Sequence, residues 1–252
     1  MRSLLYNIAF YLIIPAYFIF GAPMLLAPRR IVVRGIYGGI SRTLLVALKY
    51  IVGLETDARG LENLRKGPVI IAVKHQSTWD TFALTNYFDE PAMILKSELM
   101  NIPFLGWFAK RMDMIPVKRG KGRVAIKQLI KNARICADQG REIFIFPEGN
   151  RRAPGAEPRY KRGIAAMYKD LAIPVIPVAL NSGLYWRRRE FTRRPGKVIV
   201  EFLPAIEPGL NDDEFMKQLQ GAIEPATDRL IREALSGPNP PPAPEGYESH
   251  ES

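Results

Sequence analysis

Val69-Ile70-Ile71-Ala72-Val73 is an unbroken apolar run, and one residue later it is followed by His75-Gln76-Ser77-Thr78-Trp79-Asp80. A run of this length and β-branched content reads as a strand buried on both faces, as in a sheet covered by helices. Ser77 with an acid three residues on, at Asp80, is a helix-start signature. The stretch therefore reads strand, turn, helix, and the same grammar repeats downstream. Residues 92–95, 143–146, 175–180 and 198–202 are further apolar runs. Helical patterns occupy 77–87, 123–138, 163–170 and 212–235, the last with a bend expected at Pro225. Strands alternating with helices predict an α/β domain with a mixed, largely parallel sheet covered by helices.

With 252 residues, 47% of them hydrophobic, the chain can bury one good-sized core. The expected organisation is membrane-attachment helices over 1–54, a catalytic domain over 55–236 and a disordered Pro-rich tail over 237–252. Against 25 Asp and Glu stand 36 Lys and Arg, a net charge of +11, so anionic partners are expected: membrane surface, phosphorylated substrate, acidic protein or nucleic acid. The excess is concentrated, with 15 basic residues against 5 acidic ones from Lys110 to Arg162 and a second cluster at Arg187-Arg188-Arg189 and Arg193-Arg194. This pattern reads either as a solvated basic face or as a site for phosphate-bearing ligands at a membrane. The single cysteine, Cys136, excludes an intrachain disulfide framework and a Cys-rich metal site, and fits a reducing compartment.

Residues 4–27 carry no charge, enough helix to cross a bilayer, but Pro15, Gly21 and Pro23 interrupt them. A second apolar stretch, 36–54, contains Arg42 and Lys49. Two readings stand: a spanning helix, or two broken helices that enter one leaflet or lie in the interface. Arg29, Arg30 and Arg34 against Arg2 place the downstream domain on the cytoplasmic side.

His75 is one of two histidines, the other being His250 in the tail. Imidazole is the side chain suited to moving a proton near neutral pH, and Asp80 is placed to orient it; Asp80 is equally an ordinary first-turn acid of a helix. A second cluster, Phe144-Ile145-Phe146-Pro147-Glu148-Gly149-Asn150-Arg151-Arg152, sets an acid, a glycine and two arginines directly after another strand. Pro147 and Gly149 make a tight turn there, and Arg151 and Arg152 can pair with phosphate. Strand carboxyl ends are where open α/β sheets bind ligands.

These blocks resemble the lysophospholipid acyltransferase family, in its bacterial 1-acylglycerol-3-phosphate acyltransferase branch. His75 to Asp80 matches the family's histidine-aspartate block, and Phe146-Pro147-Glu148-Gly149-Asn150-Arg151 its second block, with Asn150 where Thr or Ser is usual. Between them Met114-Ile115-Pro116-Val117-Lys118-Arg119 offers Arg119 in the arginine place, with Lys118 and Pro116 departing from the pattern. Val175 to Leu180 resembles the fourth block. The resemblance implies a glycerolipid acyltransferase-like fold and transfer of a fatty acyl group from an acyl-CoA or acyl-carrier-protein thioester to the 2-hydroxyl of lysophosphatidate, giving phosphatidate. It implies His75 as base, Asp80 as its orienting acid, Arg119 and Arg151 on the phosphate, and Glu148 and Gly149 shaping the glycerol site. Backbone amides at the start of the helix after His75 are candidate oxyanion donors.

No Gly-x-Ser-x-Gly elbow, P-loop or dinucleotide fingerprint occurs, so covalent serine catalysis and ATP or NAD chemistry are not expected. No metal or cofactor is expected, and no nucleic-acid partner. The departures at Pro116 and Lys118 keep another lysolipid acceptor open, such as a lyso-ornithine lipid or lysophosphatidylglycerol. A non-catalytic module binding anionic lipid through its basic face is the reading from a different class. Trp107 and Phe108 read as core, or as lining an acyl path.

Overall fold

The computed structural model describes residues 1–118 and 122–244. Its seven strands are β1 (Leu54–Arg59), β2 (Val69–Val73), β3 (Ala92–Lys96), β4 (Ile115–Val117), β5 (Glu142–Ile145), β6 (Val175–Leu180) and β7 (Gly196–Phe202). They form one sheet in the order β1-β7-β6-β2-β5-β3-β4. All neighbouring strands are parallel except β6 and β7. This is the mixed, largely parallel sheet that the alternation predicts.

Strand β2 lies inside the sheet between β6 and β5, which is why all five of its residues are buried. Its side chains alternate between two cores. Val69, Ile71 and Val73 pack with residues of α1 (Arg2–Phe20), α2 (Arg29–Val52), α3 (Asp80–Ala83) and α4 (Leu105–Arg111). Ile70 and Ala72 pack on the opposite face with α5 (Gly122–Asp138), α6 (Gly163–Leu171) and α7 (Asp212–Leu235). Helix α7 opens on a capping box: Asn211 Oδ1 accepts from the Asp213 and Glu214 amides, and Glu214 reaches back to the Asn211 amide. It continues through Pro225 to Leu235.

The N-terminal helices share the core of the sheet. Helix α2 buries Val32, Ile36, Ile40, Leu44, Leu48 and Val52. A strict four-residue repeat drifts by about 40° per step on an ideal α-helix. Two π turns in α2, at Val33–Tyr37 and Leu48–Val52, take up that drift and keep the stripe on the domain. Ion pairs from Arg29 to Glu90 (2.9 Å) and Asp113 (3.0 Å), and from Arg34 to Asp89, fasten its start. Helix α1 lies outside α2 with Leu5, Ile8, Leu12, Ile19 and Phe20 exposed.

Besides the short strand β4 and helix α4, which the sequence pattern does not mark, three features depart from it. Strand β1 is added at an edge, where Glu55, Asp57 and Arg59 hide the apolar signal. The helix expected over 77–87 is one α turn, α3, followed by a 3₁₀ turn at Leu84–Tyr87. Part of the tail expected to be disordered is packed: Pro241 and Pro244 are buried, and Arg187 donates to the carbonyls of Pro242 (2.7 Å) and Ala243 (3.0 Å). Residues 245–252, including His250, lie outside the described residues. Phe108 is core, stacked on Phe18 of α1 at 5.2 Å, whereas Trp107 is half exposed beside Phe104.

Candidate active site

His75 and Asp80 meet where β2 gives way to α3. His75 Nδ1 is 3.1 Å from Asp80 Oδ2. The same oxygen accepts the amides of Gln76 (2.7 Å) and Ser77 (2.8 Å), and Asp80 Oδ1 accepts from Ser182 Oγ at 2.5 Å. Asp80 is fully buried, and this set of donors satisfies a buried carboxylate. Ser77 Oγ accepts the Trp79 amide. One carboxylate thus both ties down the turn before α3 and holds the imidazole. The Gln76, Ser77 and Trp79 amides are consumed by this capping, so the expectation that amides there serve as oxyanion donors is corrected for these three.

With Nδ1 on Asp80, Nε2 is the nitrogen left for a substrate proton. The His75 ring stacks on Phe146, with centroids 3.9 Å apart and 21° between planes. Its main chain is held as well, the Arg152 amide donating to the His75 carbonyl at 2.8 Å. The strand-end turns at 75–80 and 146–152 are therefore stitched together around the imidazole.

Glu148 takes a different place from the one expected of a substrate ligand. Its side chain is fully buried, Oε1 lying 3.1 Å from Lys74 Nζ and Oε2 accepting the His75 amide at 3.3 Å. Lys74, also buried, donates to both oxygens of Glu224 at 2.8 Å, and Tyr160 donates to Glu224 Oε1 at 2.7 Å. Burial pushes the Glu148 carboxyl up, opposed by the Lys74 ammonium. Burial, then Glu224, pushes the Tyr160 phenol far above its ordinary value. Glu148 thus holds the backbone of His75 from behind, in a charge network reaching α7. Lys74 had a signal, a cation directly after an apolar strand; Glu224 had none, being one acid of an amphipathic helix far along the chain.

Gly149 sits at φ +67, where a glycine avoids the strain of a side chain, and its amide closes the turn onto the Phe146 carbonyl at 2.9 Å. Half-buried Arg151 donates to Thr78 Oγ1, within the 75–80 turn. Burial, then the neighbouring charge of Arg188, pulls its guanidinium below its ordinary value. Arg119 lies outside the described residues, directly after exposed Lys118. Among the described residues no group of three or more His, Cys, Asp or Glu is arranged to hold a metal ion.

The loop after β6 closes the site from the other side. Besides Ser182, the Gly183 amide donates to Gln76 Oε1 at 3.0 Å. A Cβ on Gly183 would lie 2.7 Å from Pro154 Cγ and 2.9 Å from Gln76 Cβ. Gly183→Ala is therefore expected to push on the residue next to His75 and to lower kcat about tenfold or more; steady-state kinetics beside a melting curve checks it, and unchanged kcat refutes it.

Residues 55–181 match the family model described as Acyltransferase. The 1-acyl-sn-glycerol-3-phosphate acyltransferase of Pseudomonas aeruginosa is 37% identical over 158 residues, 63% of this chain and 62% of that protein. The Saccharomyces cerevisiae protein of the same name is 32% identical over 138 residues, 54% of this chain and 46% of that one. The matched stretch thus spans less than two thirds of either relative. The crystal structure of the 1-acyl-sn-glycerophosphate (LPA) acyltransferase PlsC from Thermotoga maritima superposes with a TM-score of 0.70 at 22% identity, covering 91% of this chain and 98% of that one, so the two share a fold.

Proposed function

From the premise that this chain belongs to the Acyltransferase family, we propose that it transfers a fatty acyl group from an acyl-CoA or acyl-carrier-protein thioester to the 2-hydroxyl of 1-acylglycerol-3-phosphate, forming phosphatidate. The observation that carries the reading is the His75–Asp80 pair, with Nε2 left for substrate and Arg151 beside it. Relatives named 1-acyl-sn-glycerol-3-phosphate acyltransferase support the choice of acceptor. His75 Nε2 takes the hydroxyl proton as the oxygen attacks the thioester carbonyl. Asp80 keeps the ring in the Nδ1–H tautomer and stabilises the imidazolium. The tetrahedral adduct expels the thiolate, which recovers the proton from His75. The products are the acylated lipid and a free thiol, with no acyl-enzyme, metal or cofactor. Arg151, with Arg119, binds the phosphate.

A module that binds anionic lipid by charge alone has no use for an oriented base, and the dyad disfavours that reading. The experiment is to give the purified protein lysophosphatidate and an acyl thioester; phosphatidate and stoichiometric free thiol support the proposal, and neither product under any donor overturns it. The same assay with lysophosphatidylglycerol or a lyso-ornithine lipid tests the headgroup departures at Pro116 and Lys118.

The exposed apolar face of α1 is the proposed membrane contact, lying in the interface of the cytoplasmic leaflet while α2 stays on the domain. Leu5→Asp, Ile8→Asp and Leu12→Asp together are expected to lower partitioning onto phospholipid vesicles at least tenfold, because about 25 cal/mol per Å² of apolar area no longer leaves water. Sedimentation with vesicles reads this directly, and undiminished binding would place the contact elsewhere.

A further inference from the structure

The loop between β6 and β7 carries Arg187, Arg188, Arg189, Arg193 and Arg194. It is built to a definite shape. Glu190 accepts from Arg194 Nη1 at 2.8 Å and lies 3.9 Å from Arg187 Nε, pairs that hold its carboxyl below the usual range. Arg193 lies over the Trp186 ring at 4.1 Å and donates to the carbonyls of Glu190 and Phe191. The loop is fastened to α1, Ser3 Oγ donating to the Arg193 carbonyl at 3.1 Å and Asn7 Nδ2 to that of Phe191 at 3.1 Å.

This leaves Arg188 and Arg189, both exposed and, among the described residues, in no ion pair. Arg188 Nη1 reaches the Arg151 carbonyl at 3.5 Å. The charges of both bear on the Arg151 guanidinium, opposed by Asp80. Arg189 is held at φ +61, a strained conformation for a non-glycine residue of the kind found where ligands are gripped. Arg188 and Arg189 thus bring two exposed positive charges to the neighbourhood of Arg151, while the loop's own acid is committed to Arg187 and Arg194. Such a cluster is complete with a multiply charged anion in it, and planar guanidinium matches phosphate oxygens.

We propose that Arg188, aided by Arg189, completes with Arg151 a binding site for the phosphomonoester headgroup of the acceptor lipid. This rests on the acyltransferase reading and names residues outside the matched family segment. The acceptor is favoured over the donor because the loop is tied to α1, whose apolar face is the proposed lipid contact, so a headgroup arrives at this loop first.

The test is the double substitution Arg188→Gln with Arg189→Gln in the full chain. Donors are acyl-CoA and an acyl N-acetylcysteamine thioester, which lacks phosphates. The KM for lysophosphatidate is expected to rise about tenfold or more, with kcat within about twofold and the KM of either donor unchanged. Arg188→Lys in the Arg189→Gln background is expected to recover part of the loss. A rise confined to the KM for acyl-CoA assigns the arginines to the donor and overturns the proposal. So does an unchanged acceptor KM, or a loss matched by weaker adsorption to phosphatidylglycerol vesicles. If the unaltered protein does not acylate lysophosphatidate, the function reading fails by itself; calorimetry with glycerol 3-phosphate then decides the site, weaker binding by the double variant supporting it and equal binding overturning it.

Discussion

His75→Ala is expected to lower kcat by about three orders of magnitude, the middle of what a positioned general base supplies. The acceptor KM should stay within a few-fold, because Nε2 acts on the hydroxyl proton in the transition state and not on the headgroup. Stability should fall by about 1–3 kcal/mol, since the ring is only 12% exposed, stacks on Phe146 and is one of the partners of the buried Asp80 carboxylate. Asp80→Asn makes the informative contrast. Asp80 accepts from His75, the Gln76 and Ser77 amides and Ser182, so an amide there turns one acceptor into a donor facing donors. It is expected to cost both catalysis and about 2–4 kcal/mol of stability. Thiol release and thermal melting on both variants check this, and a His75→Ala protein retaining a tenth of parental activity removes His75 as the base.

Lys74→Met is expected to be the most destabilising single change at the site. It leaves Glu148 and Glu224 facing each other without their cation, and breaking a buried ion pair from one side costs about 3–5 kcal/mol. In a chain of this size that is a fall in Tm on the order of 10 °C. The pH dependence has a definite sign. Burial already raises the Glu148 carboxyl, so its folded state holds the proton more tightly than the unfolded chain does. Its contribution is fully present below the ordinary glutamate range and is lost as pH rises through the elevated value. Removing Lys74 raises that value further, so the Tm gap between parent and variant should narrow on going from pH 8 to pH 5. A gap that is constant across that range shows that the loss comes from packing and not from charge.

How much of this was legible in the chain follows from the range of the forces involved. β2, β6 and α7 were readable because burial on both faces, or on one helical stripe, writes itself into consecutive residues. β1 was not, because an edge strand is chosen by its partner β7 and its own residues are half polar. The His75–Asp80 pairing was local, five residues apart, and so was visible. The supports of that pair were not: Ser182 and Glu224 are ordinary polar residues that acquire meaning only when β6 and α7 bring them to β2. Glu148 is the intermediate case, a residue that its motif marks while its burial against Lys74 and the His75 amide is not local to the motif.

The contact between Lys74 and Glu224 joins residues 150 positions apart. At a synthesis rate of about 5–20 residues per second, about 8 to 30 seconds separate their appearance on the ribosome. Until α7 emerges, Lys74 and Glu148 lack their third partner and the backbone behind His75 is held from one side only. The full support of that backbone is thus assembled only after α7 has been made. The same contact therefore ties the setting of the backbone behind His75 to the arrival of α7.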